Sequence, residues 1–324
     1  MSTSPPPPRR NWHLTRWLLA LIIALFGWSG WRAYAFRSAM AEAKALGWRV
    51  EYTDPVETIR FNWKRAFEKA TWRDGVTMVH IVGSESFEPH ASVVHRLNPK
   101  MLILQDATTM HDLSALTPLS RLQAVSLGSA PALTNVDALE NLPTLKEIWL
   151  HNCTALTDVD VLKNLTALEQ LSLNACTGLT NVDALKNLTA LQYIHLTDCS
   201  ALTNFDGLKD LTELRMLGLN GCTGLQDVDM LMNLPALKHL DLSNCPKLTN
   251  VDALKNLNAL ELVLLKDCTE LTNVEGLKNL PALRQVLLTG CTGLTKESVE
   301  ALKASLPKTE ISSDFRQPQL PPQK

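Results

Sequence analysis

Seven cysteines stand 23 residues apart, at Cys153, Cys176, Cys199, Cys222, Cys245, Cys268 and Cys291, and the chain has no others. No insertion or deletion breaks the interval. A fixed period of about 20–50 residues is the signature of a stacked repeat. Such an array buries its constant positions and displays its variable ones. Function is therefore to be sought in what changes from copy to copy.

Alignment on the cysteines gives copies beginning at Leu122, Leu145, Leu168, Leu191, Leu214, Leu237, Leu260 and Leu283. The third reads LEQLSLNACTGLTNVDALKNLTA. Positions 1, 4, 6, 9, 12, 15, 18 and 21 are apolar or Cys in nearly all copies. Positions 4 and 6 alternate, the period of a strand with one buried face. Positions 12, 15, 18 and 21 recur every third residue, which predicts a 3₁₀ return rather than an α-helix. One unit cannot bury its apolar face alone, so the units stack and their strands form a parallel ladder.

These residues carry a resemblance. The pattern LxxLxLxxCxxLTNVDALKNLxx is similar to a leucine-rich repeat, in a cysteine-containing version of the short bacterial, internalin-like class. The similarity covers roughly residues 99–311. It implies an α/β solenoid: a leucine-rich-repeat horseshoe with the strand ladder on its concave face and short 3₁₀ or helical returns on its convex face. It implies no particular partner, because one fold hosts many functions. Cys stands where many members of the class place Asn.

The ends differ from the middle. Residues 1–13 are Pro-rich and predict disorder. Within 14–35, Trp17–Trp31 is an uncharged apolar run flanked by Arg16 and Arg32, with Trp12, Trp17, Trp28 and Trp31 as interfacial anchors. This predicts a transmembrane anchor. The alternative is a cleaved signal peptide ending at Ala33-Tyr34-Ala35. Both place the repeats outside the cytoplasm, on the membrane or secreted. Residues 36–98 predict a juxtamembrane helix and an N-terminal cap. This segment holds a helix at Arg37–Leu46, a strand at Trp48–Tyr52 and a helix started by Asp54-Pro55 with Ile59, Trp63, Phe67 and Ala70 on one face. The repeat frame extends upstream, since Val79 and Ile81 precede Leu102 and Leu104 by one period. At the other end KESVEALKASL reads as a true helix. Leu306 and Ile311 are then expected at positions 1 and 6 of a last strand, with a disordered tail over 312–324.

Three constellations bear on chemistry. The cysteines lack metal-ligand spacing and do not converge; stacked side chains run parallel, a poor orientation for disulfides. They predict buried free thiols. An acidic column at position 16, from Asp137 to Glu275, predicts caps on the short turns, with Lys three residues later able to neutralise it. The exposed strand positions 3, 5 and 7 vary freely. Position 5 runs Ile103, Ser126, Trp149, Ser172, His195, Gly218, Asp241, Leu264, Leu287. With position 3 and position 7, the face gathers Glu147, Trp149, His151, Tyr193, His195, Met216, His239 and Asp241. Aromatic anchors among polar neighbours predict a protein-binding patch. The three histidines sit in different columns two rungs apart, about 10 Å at the usual strand spacing, too far for a shared zinc. No nucleophile–base pair, phosphate loop or cofactor motif is present, so a non-enzymatic recognition protein without a cofactor is expected. Its partner is a protein, with a peptide or glycan as variants. The formal charge of −2 carries no basic stripe, which argues against nucleic acid. The competing reading is a structural spacer with no ligand on this face.

Overall fold

The computed structural model of the chain describes residues 34–52, 76–82 and 87–315. The apolar run within 14–33 and the helix expected from Asp54 lie outside the described residues. Among the described residues, no helix is long and apolar enough to cross a membrane.

One sheet of twelve strands runs in chain order: β1 (Arg49–Tyr52), β2 (Val76–Val82), β3 (Met101–Gln105), β4 (Ala124–Gly128), β5 (Glu147–His151), β6 (Gln170–Ser172), β7 (Tyr193–His195), β8 (Met216–Gly218), β9 (His239–Asp241), β10 (Leu262–Leu264), β11 (Gln285–Leu287) and β12 (Glu310–Ser312). From β2 onward every pairing is parallel. The frame does extend upstream, with Val79 opposite Leu102 and Leu102 opposite Val125. β1 instead pairs antiparallel with β2, which covers the ladder's first edge. The helix over residues 34–45 (α1) buries Ala39 and Ala43. An ion pair from Arg96 to Glu42 ties it to the helix Ala91–Leu97 (α2).

The buried columns match their apolar pattern. All the Leu residues at positions 1, 4, 6, 12, 18 and 21 join one continuous cluster running the length of the ladder. Each buried large aliphatic contributes about 1.5–3 kcal/mol of transfer free energy, offset in large part by chain entropy.

The turn after each strand explains the cysteine. Position 8 is left-handed in every copy: Asp106, Ser129, Asn152, Ala175, Asp198, Asn244 and Asp267 have φ of 55–59°, and Gly221 and Gly290 have 74° and 81°. This reversal aims position 9 inward, and all seven cysteines are buried and unpaired. Each thiol from Cys176 on donates to the position-6 carbonyl of the preceding copy, as in Cys199 to Leu173 (3.1 Å), Cys222 to Leu196 (3.2 Å) and Cys268 to Leu242 (3.1 Å). The Leu196 carbonyl also accepts the Cys199 backbone N–H. The thiol therefore satisfies a buried acceptor where the regular ladder ends.

The caps differ from expectation. The residue before each 3₁₀ turn from Asp137 onward is a Val or Phe that makes no cap. Position 14 does the capping: its side-chain oxygen accepts the position-16 N–H, as in Asn135 with Asp137 (2.7 Å), Asp158 with Asp160 (2.6 Å) and Asn204 with Asp206 (2.9 Å). The position-16 carboxylate is left to bind its neighbours. Asn204 donates to both oxygens of Asp183 (3.2 Å each), and Asn273 to both of Asp252 (3.1 Å each). These are the junctions where the following copy has Gly at position 17. A Cβ at Gly207 would overlap the Val182 carbonyl, and one at Gly276 the Val251 carbonyl. The missing side chain lets the rungs close, and backbone bridges Asn181–Asn204 and Asn250–Asn273 form there. The expected lysine neutralisation occurs in these Gly-bearing copies, at Lys209–Asp206 and Lys278–Glu275.

At the next junction Asp227 stands at position 14 in place of Asn and Met230 at position 17 in place of Gly. Asp227 accepts the Asp229 N–H at 3.1 Å, while Asp206 pairs with Lys209. A cavity of about 410 Å³ lies here, lined by Phe205, Leu225, Met230, Asp206, Asp227 and Lys247 among others.

At the far end, Thr295 caps the helix Lys296–Ser305 (α3) by accepting the Ser298 N–H at 3.2 Å. Ile311 pairs with Val286, at position 4 rather than the expected position 6. An α-helix rises about 1.5 Å per residue against about 2.0 Å for a 3₁₀ turn, so this return needs two more residues. Ser312 lies in β12, Asp314 accepts the Gly290 N–H at 2.8 Å, and Phe315 packs against the core. The fold thus extends past the expected start of the tail.

Two changes should separate the tight junctions from the next one. Gly207→Ala should lose about 1–3 kcal/mol, the usual cost of overpacking. Asp227→Asn, in a copy with Met230 rather than Gly at position 17, should stay within about 0.5 kcal/mol of the parent, as an exposed change that keeps the cap oxygen does. Urea midpoints read both.

Candidate functional site

Parallel register brings the eight expected residues onto one face as columns. At position 3, Glu147, Gln170, Tyr193, Met216 and His239 succeed one another on β5 to β9. At position 5 the order is Trp149, Ser172, His195, Gly218, Asp241. His151 sits at position 7, the end of β5. All eight are half-buried. The three histidines fall on alternate strands and step from column 7 to 5 to 3, a diagonal across the face. Among the described residues no group of three or more His, Cys, Asp or Glu has the geometry to hold a metal.

Half-burial comes from side chains lying over small neighbours. His151 Nε2 is 3.0 Å from Ser172 Oγ, and Ser172 is only 2% exposed. The His195 ring lies over Gly218, where a Cβ would come within 3.2 Å of Nδ1. Large and small residues thus alternate along column 5, from Trp149 through Ser172, His195 and Gly218 to Asp241. Asp241 accepts the Ser243 N–H at 2.9 Å, which fixes its carboxylate. Gln170 donates to Glu147 at 3.4 Å.

Burial sets the electrostatics. Desolvation lowers the pKa of both His151 and His195, and for His151 the proximity of His195 adds to it. Desolvation raises Glu147, with the Glu169 charge adding to it. Below the face, burial pushes the Cys199 and Cys245 thiols up to about 12, which keeps them protonated and unreactive.

The column pattern omits several residues that shape the surface. Ser172 and Gly218 position the imidazoles, and their small size is the signal. Leu262, Leu264 and Leu287 form an aliphatic end to the face on β10 and β11. They lack the polar or aromatic character that marks a patch in sequence.

The pH dependence follows from the two opposing shifts. A histidine with lowered folded pKa costs nothing while neutral. Below its ordinary value, about 6.5, the unfolded chain takes the proton first and stability falls. Glu147, raised, costs stability above its ordinary value, and that cost is relieved on acidification. The His151→Gln, His195→Gln double variant should therefore lose less stability than the parent between about pH 7 and about pH 5. Glu147→Gln should lose more. Denaturant midpoints across this range check both signs.

Residues 143–187 and 212–256 each match the family model for leucine-rich repeats. Among solved structures the chain is similar to internalin C2 of Listeria monocytogenes, at 24% identity over 63% of this chain and 84% of that one, with a TM-score of 0.49. A second internalin of that organism, InlF, gives 22% identity, 79% and 94% coverage and a TM-score of 0.44. The leucine-rich-repeat domain of the type III effector XopL gives 18%, 97% and 98%, and 0.48. No curated protein matches the sequence. The unbroken 23-residue register, the parallel ladder with 3₁₀ returns and the two matched repeat pairs make this chain a leucine-rich-repeat protein.

Proposed function

We propose that the chain is a non-enzymatic recognition protein whose concave strand face captures another protein. One observation carries this reading: the freely varying strand columns of an otherwise repetitive frame place Trp149, Tyr193 and Met216 in register with His151, His195 and Asp241. Half-buried aromatics are good anchors, because they bring large contact area with few rotatable bonds to fix on binding. The aliphatic end at Leu262, Leu264 and Leu287 extends the same surface. The Trp149→Ala, Tyr193→Ala double variant should lose partner capture in a crosslinking pull-down while keeping its urea midpoint within about 1 kcal/mol of the parent, as expected for half-exposed sites. Undiminished capture would remove this face from the function.

Residues 14–35 are proposed to tether the solenoid to a membrane with the repeats outside the cytoplasm. The uncharged run Trp17–Trp31 between Arg16 and Arg32 supports this. Alkaline extraction of membranes should leave the chain in the pellet with Met1-proximal residues intact. A mature N-terminus at Phe36 would mean a cleaved signal instead.

A further inference from the structure

We infer that acidification switches the concave face out of its binding state through His151 and His195. This rests on the reading of that face as a partner-binding surface, and names its regulation.

The geometry makes the neutral rings part of the packing. Each imidazole covers the small residue of the next strand, His151 over Ser172 and His195 over Gly218. Both small residues are buried in consequence. Among the described residues neither ring forms an ion pair with a carboxylate. β4 presents Ser126 and Gly128, β6 presents Gln170 and Ser172, and β8 presents Met216 and Gly218, all uncharged. The carboxylates on or beside these strands are Glu147 on β5, Asp198 in the turn after β7 and Asp241 on β9, where His239 also lies. Desolvation, not any of these carboxylates, is the leading influence on both rings. The titratable group that His151 does sense is His195, a prospective like charge.

Protonation therefore puts two cations on a half-dry surface, with only the neutral Ser172 hydroxyl in hydrogen-bond reach of the His151 ring among the described residues. Water must enter to solvate them, and the His195 ring must leave Gly218 to meet it. A protein seated on Trp149 and Tyr193 removes more of that water. Binding and protonation then oppose each other, and linkage requires that acid weaken capture. Gln in place of His keeps size and hydrogen bonding but cannot take the proton.

The test uses the full, membrane-tethered chain in crosslinking pull-downs at about pH 7.5 and about pH 5.5, on either side of the ordinary imidazole value. Capture by the parent should fall about tenfold between them, equivalent to about 1.4 kcal/mol. The His151→Gln, His195→Gln variant should capture equally at both. Equal capture by the parent at both values overturns the switch and leaves the binding face standing. The same acid loss in the double variant overturns the assignment to these two residues. Absence of capture at either value overturns the binding reading and the switch with it. Histidine-selective NMR of the full chain adds a check free of any partner: an imidazole resonance absent from each single Gln variant should titrate below about 6.5. Titration at or above that value overturns the switch.

Discussion

The structure depends on a single reversal of the chain after each strand. At position 8 the backbone enters the left-handed region, and position 9 is thereby turned into the core. The backbone carbonyl of position 6 lies there, beyond the last regular rung, and in the copies of Cys176, Cys199, Cys222 and Cys291 it already accepts the position-9 N–H. A cysteine thiol from the next copy reaches it. The bond is weak, but it adds a second donor to a buried acceptor while the side chain fills the inward turn as a small hydrophobe, so the constancy of the column needs no redox explanation. All seven thiols are buried, and burial raises the pKa of Cys199, Cys222 and Cys245, which makes free cysteines compatible with the location proposed for the domain. The same reversal is tolerant of sequence: Asp, Asn and Gly dominate position 8, and Ser129 and Ala175 adopt it against their own preference.

The buried columns are legible in the sequence because hydrophobic burial is nondirectional and repeats without change. A strand assignment is secure when every copy repeats it. For this reason the register Val79–Leu102–Val125 can be followed upstream of the first cysteine, where no thiol marks the frame. Directional interactions are less legible. Positions 14 and 16 are both short polar residues two apart, and either could cap. The backbone decides, since the side chain two residues before a free N–H has the reach that the residue itself lacks. The last strand is displaced by two because periodicity alone does not say how far a longer helix rises.

The site divides in the same way. Membership of the face follows from alternation, and Glu147, Trp149, Tyr193, Met216, His239 and Asp241 stand where the columns put them. What the alternation does not contain is how the rings lie. Ser172 and Gly218 look ordinary in isolation, yet they decide how deeply His151 and His195 are buried and hence how readily they take a proton. Recognition on such a face is built from neighbours on successive strands, so a change in a small residue can alter a large one beside it.

The close junctions formed at Gly207 and Gly276 recur three copies apart, and so do other particulars. The copy from Leu214 and the copy from Leu283 both open Leu-Arg and both carry Gly-Cys-Thr-Gly-Leu; the two matched repeat pairs are offset by the same three copies. The larger unit of this chain is therefore a three-rung block, and its second occurrence ends in α3 where the first ends in the junction at Asp227. Because the tight step recurs every third rung, the repeat of the backbone contacts is 69 residues long rather than 23, and a change at one Gly junction has its counterpart three copies away.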